Sequence, residues 1–393
     1  MISEDDARGK ILDTVWALSA RQIAVGEALD CFAGQDYFAR LPLPNFDNSA
    51  MDGYAVVAGS TGPGKRLRVI GEQPAGVDRH LRVAAGEAVR MFTGAPLPAG
   101  ADAVVMQEDV AIEGKEILIN TEVKSGDFIR PRGCDLSEGQ KILTEGQRIG
   151  ATALGLLASQ GFAELTVGGE VRAGIISTGD ELAKPGEKLE PGQIYDSNSV
   201  FLRALLERCD AIVASVEHCS DDSDSLTKAL ERGTQNEVLV ITGGVSVGQH
   251  DLVKAALQSL GGKIEIWRVA IKPGKPFLFG RVRDCFVFGL PGNPVSAFVT
   301  FLQFVRPAIL KMMGAFQDAL RLTRVPARLT VDLRNDGDRA HYVRGKLENG
   351  NFTPVGRQES HALFGLSQSN ALLRVEPSME LECNAAVEVE IWD

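Results

Sequence analysis

Apolar residues recur at helical spacing near the start of the chain. Ile11, Leu12, Val15 and Trp16, with Ser19 beyond them, share one face. Ser3 precedes three acids, so a serine cap and first-turn negative charge set the helix start. From 45 to 137 the pattern shortens into β-like runs, LRVIGE, AVRMFTG, ADAVVMQEDV and KEILINTEV, broken by Gly and Pro. Residues 138–168 return to a turn, a strand and a small-residue helix, GATALGLLASQG. The β-rich stretch 45–137 therefore reads as an insertion into a first domain made of two pieces, 1–44 and 138–170.

From 171 the pattern alternates. VRAGIIS, AIVASVEHC, EVLVITGG and CFVFGLPGN read as strands. SVFLRALLERC, DSLTKALERG, DLVKAALQSLGG and residues 294–313 read as helices. Strand–helix alternation with short links predicts a parallel, doubly wound sheet, an α/β/α domain over 171–318. The tail, 319–393, turns β again and predicts a barrel-like domain. ENGN is a hairpin signal, and Val387, Val389 and Ile391 alternate with acids. The fold class is thus multidomain α/β, with no internal repeat and no low-complexity tract.

At 393 residues the chain is too long for one core, which agrees with several domains. A net charge of −11 argues against a nucleic-acid or anionic-membrane surface. The most apolar late segment, 294–313, contains Gln303, Arg306 and Pro307, so it reads as a buried helix and not as a membrane span. Six scattered cysteines without CxxC predict reduced, buried, structural thiols, as suits a cytoplasm. The opening MISEDDARGK is acidic and lacks the apolar run of a signal peptide.

Charge adds candidate chemistry at three strand ends: STGDEL (177–182), TGGVSVGQHD (242–251) and LPGNPVS (290–296). In open α/β sheets ligands bind beyond the carboxyl ends of strands, so these loops predict one pocket. Gly243, Gly244 and Gly248 free backbone N–H groups to face a ligand, and Ser246 adds a hydroxyl. Asn293 is placed to cap a helix that starts at Pro294, with Ser296 in its first turn. Helix N-termini of this kind attract oxyanions. Asp180, Glu181 and Asp251 supply carboxylates that suit Mg²⁺.

In AIKPGKPFLFG, Lys272 and Lys275 each precede a proline, which biases both toward extended geometry. Two stiffly held lysines in an acidic protein predict an oxyanion or phosphate clamp. Phosphoanhydride or nucleotide chemistry follows, although no Walker A or dinucleotide fingerprint is present. Blander roles exist for single residues. Asp180 and Glu181 can cap the next element, Lys272 can be a solvated surface residue, and Asp196 and Asn198 can start a helix. His218 and Cys219 suit strand packing, and Asp221 and Asp222 suit a polar turn.

PNFDNSAMDGYAV, MFTGAPLPAGADAVV, RPRGCD, STGDEL, YDSNS, ITGGVSVGQHD, IKPGKPFLFG and GLPGNPVSAF occur in this order over essentially the whole chain. Together they resemble the bacterial MoeA type of molybdopterin molybdenumtransferase, similar also to the E domain of gephyrin. The resemblance implies the last step of molybdenum cofactor synthesis, in which adenylylated molybdopterin and molybdate give the cofactor and AMP, with Mg²⁺. It implies functional positions at Asp52, Thr93, Asp135, Glu181, Asp251, Pro291 and Pro294, with Glu181 and Asp251 toward the metal. It implies oxyanion contacts from Ser246, Lys272, Lys275 and Ser296, and from Arg344 and Ser360 of the last domain. Glu359 stands where the family often has glycine, and an acid there repels an anion. His250 precedes Asp251 where other side chains occur in the family.

The resemblance also implies an elongated homodimer in which the inserted domain of one chain approaches the sheet domain of the other. The preceding adenylyltransferase and molybdoenzyme apoproteins are the implied protein partners. Two other roles compete with the enzyme. A gephyrin-like scaffold is disfavoured by the lack of a long linker and second module. A single-domain molybdopterin adenylyltransferase is disfavoured by the β unit and the C-terminal domain.

Overall fold

A computed structural model describes residues 1–244 and 252–392. It divides into two compact units. One comprises Met1–Gln35, Glu145–Leu154 and Ala163–Asp393; the other comprises Asp36–Thr144 and Gly155–Phe162.

The first unit is built on a six-stranded sheet. Its spatial order is Ile212–Cys219, Arg172–Thr178, Val238–Thr242, Cys285–Leu290, Leu278–Val282 and Lys263–Trp267. The first four strands are parallel, as the strand–helix alternation predicts. The last two pairings are antiparallel, with Leu278–Val282 reversed against both of its neighbours, so the sheet is mixed and not wholly parallel. The cause is local: only Arg283 and Asp284 separate Val282 from its partner Cys285, and two residues can make a hairpin but not a crossover. That turn contains no glycine, and Arg283 itself takes a positive φ of 53°.

Helices Asn198–Arg208, Ser223–Gly233 and Leu252–Ser259 flank the sheet. Segment 294–313 is helical but not uniform, since a π-helical turn, Phe301–Val305, separates Pro294–Thr300 from Arg306–Met312. The stretch Pro294–Met312 is long and apolar enough to cross a membrane, yet 89% of its most apolar window is buried inside the protein. Its Phe298, Phe301, Phe304 and Val305 join Phe279, Phe286 and Phe288 of the sheet in one core.

The N-terminal helix, Glu4–Thr14, starts on Ser3, whose side chain accepts from the Asp6 N–H at 3.1 Å. It stops earlier than the apolar spacing suggests. Val15 is already extended, and Leu18 N–H donates instead to the Met312 carbonyl at 2.8 Å. Glu4 is buried, and Tyr342 Oη and Arg374 Nε donate to it at 2.5 and 3.0 Å. A buried carboxylate is tolerated only with such partners.

The C-terminal strands close into a barrel. Ala340–Glu348, Asn351–Pro354, Thr323–Leu329, Ala386–Ile391 and Ala371–Val375 pair in sequence, and the last pairs back to the first. Asn349 and Gly350, both at positive φ, turn the hairpin that ENGN signals. Strand Ile271–Lys272 joins this barrel, with Lys272 opposite His341. All six cysteines are free thiols; Cys209, Cys219 and Cys285 are buried as expected, whereas Cys134 and Cys383 are exposed because they sit in surface turns.

The second unit carries its own six-stranded sheet, ordered Ala103–Met106, Gly53–Val56, Glu87–Met91, Arg66–Gln73, Glu116–Ile119 and Val110–Glu113. Both faces of its centre are covered. Tyr54, Val56 and Ala88 enter one cluster, and Ala55, Val89 and Met91 enter another. Gly53 is required by a close approach: a Cβ there would lie 2.0 Å from the Val105 carbonyl oxygen.

Candidate functional site

Sheet register aligns three strand ends. Ser177 lies opposite Thr242, and Thr242 lies opposite Leu290. The loops that follow therefore leave the sheet side by side. They line a cavity of about 650 Å³ with Glu181, Gly243, Gly244, Pro291, Asn293 and Pro294 on its wall. Gly243 and Gly244 have φ of 86° and 65°, a region that disfavours side chains. A Cβ at Gly244 would also meet Thr178 Oγ1 at 2.7 Å. Residues 245–251 lie outside the described residues, so Ser246, Gly248, His250 and Asp251 are not placed.

Asn198 ties two of these loops together. Its Nδ2 donates to Thr242 Oγ1 at 2.8 Å and to the Gly292 carbonyl at 2.7 Å. Its own Oδ1, like Thr178 Oγ1, is buried without a partner among the described residues. Helix capping falls to Asp196, whose carboxylate accepts from Ser199 N–H at 3.0 Å. Asn293 does occupy the cap position before Pro294, but its side chain makes no cap bond. Instead its Nδ2 donates to Ser360 Oγ at 2.9 Å, and Val295 N–H donates to the Ser360 carbonyl at 3.0 Å. Ser296 is buried in the first helical turn, off the cavity wall.

Carboxylates gather at one side of the cavity. Asp222 caps the Ser223–Gly233 helix, accepting from Ser225 N–H at 2.8 Å. Asp221 turns into the cavity wall, with its backbone N–H donating to Asp180 Oδ1 at 3.1 Å. Burial, then the charges of Asp180 and Glu181, raise the Asp221 carboxyl above its ordinary value. Such mutual repulsion is what a cation relieves. Among the described residues, however, no group of three donors forms a metal cage.

The cations are arranged differently. Pro276 reaches the cavity wall, while Lys272 and Lys275 are exposed and not part of that wall. Neither lysine has an ion-pair partner among the described residues. Arg344 is fully buried, and its Nε, Nη1 and Nη2 all lack a hydrogen-bond partner among those residues. Burial pulls its pKa down and the Glu359 charge pushes it back up.

In the other unit, Asp52 Oδ1 accepts from both Thr93 N–H at 2.7 Å and Thr93 Oγ1 at 2.9 Å. These donors, backbone first, hold the Asp52 carboxyl below its ordinary value. Asp135 is exposed beside the Leu43–Leu136 bridge, with its N–H donating to the Leu43 carbonyl at 2.9 Å, and no hydrogen bond among the described residues joins it to Asp52 or Thr93.

Residues 2–161 match the MoeA N-terminal region (domain I and II), residues 174–311 a probable molybdopterin binding domain, and residues 326–392 the MoeA C-terminal region (domain IV). The molybdopterin molybdenumtransferase of Haemophilus influenzae is 36% identical over 384 residues, 96% of this chain and 95% of its own. The chain belongs to the MoeA family.

Molybdopterin molybdenumtransferase 2 of Mycobacterium tuberculosis is 38% identical to this MoeA-family chain, covering 94% of each. The crystal structure of the molybdopterin biosynthesis MoeA protein from Pyrococcus horikoshii OT3 superposes with a TM-score of 0.86 over the full length of both chains, at 28% identity. Within this pocket, Asp221, His361 and Leu363 are among the wall residues to which sequence reasoning gave no site role. Asp221 sits in SDDSD, where a polar turn or a cap accounts for the acids, and only the folded structure shows which of them faces the cavity.

Proposed function

We propose that this protein catalyses the last step of molybdenum cofactor biosynthesis. Adenylylated molybdopterin and molybdate are its substrates, and the cofactor and AMP are its products. What carries this reading is the convergence of Glu181, Gly243–Gly244 and Pro291–Pro294 on one cavity. The curated relatives named molybdopterin molybdenumtransferase support it.

The cavity would hold the pterin and the phosphoanhydride against the loop backbone. Its size, about 650 Å³, is within the usual range for a small-molecule site. Gly243 and Gly244 leave room for close approach of phosphate to the chain, and Asn198 holds the loops after Thr242 and Leu290 to each other. Lys272, Lys275, Arg344 and Ser360 would take molybdate. Arg344 suits this role because a buried guanidinium with no hydrogen-bond partner among the described residues is costly until an anion arrives.

The donor chemistry fits Mg²⁺ that arrives with substrate phosphates. That ion keeps several waters and takes only one or two protein carboxylates, so a full cage is not required. Glu181 would hold it, with Asp221 beside it and Asp251 from the loop, and it would neutralise charge on the anhydride. Asp52, Thr93 and Asp135 would act in a two-fold dimer, where the pocket of one chain is completed by Asp52 of its partner.

The test is incubation of the purified protein with adenylylated molybdopterin, Mg²⁺ and molybdate. Molybdate-dependent AMP release is expected. Protein that binds neither substrate, or releases AMP without regard to molybdate, would overturn the assignment.

A further inference from the structure

Arg344 raises a question of charge balance. Its side chain is fully buried, and all three guanidinium nitrogens lack hydrogen-bond partners among the described residues. The Gly365 backbone covers it so closely that a Cβ there would lie 3.3 Å from Nε. An isolated buried cation is not sustainable without a counter-charge.

The segment that follows supplies one. Gln358 is bound to the Arg344 backbone in both directions: its Oε1 accepts from Arg344 N–H and its Nε2 donates to the Arg344 carbonyl, each at 3.0 Å. Ser360 is bound to Asn293 on the cavity wall, at 2.9 Å. Glu359 lies between these two anchors in the chain and is exposed. Its two chain neighbours are thereby anchored, one to the Arg344 backbone and the other to the pocket rim. No ion pair joins Glu359 to Arg344 among the described residues, so its charge can act on the guanidinium only through space, and the three nitrogens keep their donors. Its charge is the one that offsets the effect of burial on Arg344.

We propose that Glu359 is a built-in counter-anion for Arg344, one that a bound oxyanion must outcompete, so that it sets how tightly and how charge-selectively the site binds. This rests on Arg344 belonging to the oxyanion site. The carboxylate stabilises the ligand-free protein and opposes the ligand. A dianion meets about twice the repulsion that a monoanion of the same shape meets, because Coulomb energy scales with charge. Glu359 is therefore a specificity-determining residue: it lowers affinity for all anions and penalises dianions most.

The probes are molybdate and perrhenate, both tetrahedral, one a dianion and the other a monoanion. Calorimetric titration of the full-length protein compares wild type, Glu359→Gln and Glu359→Gly. Both substitutions should tighten molybdate about tenfold and perrhenate about threefold, the gain shrinking as salt is raised. The melting temperature of the ligand-free variants should fall at the same time. A residue of purely structural importance would lower both stability and affinity. Unchanged or weaker molybdate binding in variants that remain folded would overturn the proposal, as would an equal gain for both anions. Arg344→Met separates this from a failure of the site itself. If that variant binds molybdate as well as wild type, the oxyanion site lies elsewhere and the role of Glu359 falls with it.

Discussion

The Asp52 carboxylate accepts two hydrogen bonds from one residue, Thr93, through its backbone N–H at 2.7 Å and its hydroxyl at 2.9 Å. The motif positions are 41 residues apart, and the antiparallel pairing of Gly53 with Met91 brings them together. Both donors stabilise the charged carboxylate, so Asp52 is held ionised and in one orientation.

Thr93→Val removes the hydroxyl donor and keeps the backbone donor. The Asp52 carboxyl should then titrate higher than in wild type but still below its ordinary value, because the backbone N–H is the larger cause. The sign follows from linkage. A depressed carboxyl pKa stabilises the fold above the unfolded value and loses that contribution as pH falls through the folded one. The variant should therefore lose this contribution at a higher pH. Carbon-detected NMR titration of the carboxyl would read it, and an unmoved midpoint would refute the assignment.

Lys275→Ala should weaken oxyanion binding by about 1.5–3 kcal/mol, the worth of one charge-assisted contact. Melting should hardly change, since the side chain is exposed and has no ion-pair partner among the described residues. Titration with molybdate and with AMP decides the matter; unchanged affinity for both would remove Lys275 from the site.

Arg344→Met should act oppositely on stability and binding. Replacing a buried guanidinium that has no hydrogen-bond partner among the described residues by an apolar chain of similar length removes a desolvation cost that the distant Glu359 charge offsets only in part, so the ligand-free protein should gain about 1–3 kcal/mol. Molybdate binding should be lost. Chemical denaturation and calorimetry on the same sample test both halves, and a destabilised variant would mean that compensation of Arg344 by its surroundings outweighs its desolvation cost.

Asp52→Ala and Lys275→Ala proteins, each nearly inactive, should complement when their subunits exchange. In a two-fold dimer half of random pairs are mixed, and in each mixed pair one shared site carries both lesions and the other none. Roughly a quarter of wild-type activity should return if sites act independently. Exchange demonstrated by mass spectrometry with no recovery would show that Asp52 does not serve the partner's pocket.

Local sequence was enough for much of this molecule. Strand–helix alternation after 171, the ENGN turn, the Ser3 cap and the three strand-end loops are each encoded within a few residues, where propensity and turn chemistry act directly. Contacts between distant segments needed the fold. Arg283–Asp284 turns two strands antiparallel without a glycine signal, and Asn293 gives up its cap bond for Ser360, 67 residues away. Asp221 and Asp222 are neighbours of one type, yet one faces the cavity and the other caps a helix, because strand Ile212–Cys219 ends where it does. The burial of Arg344 is of the same kind. Charge is written in the sequence, but whether that charge is hydrated, paired or left waiting for a ligand depends on which atoms surround it, and only tertiary packing decides that.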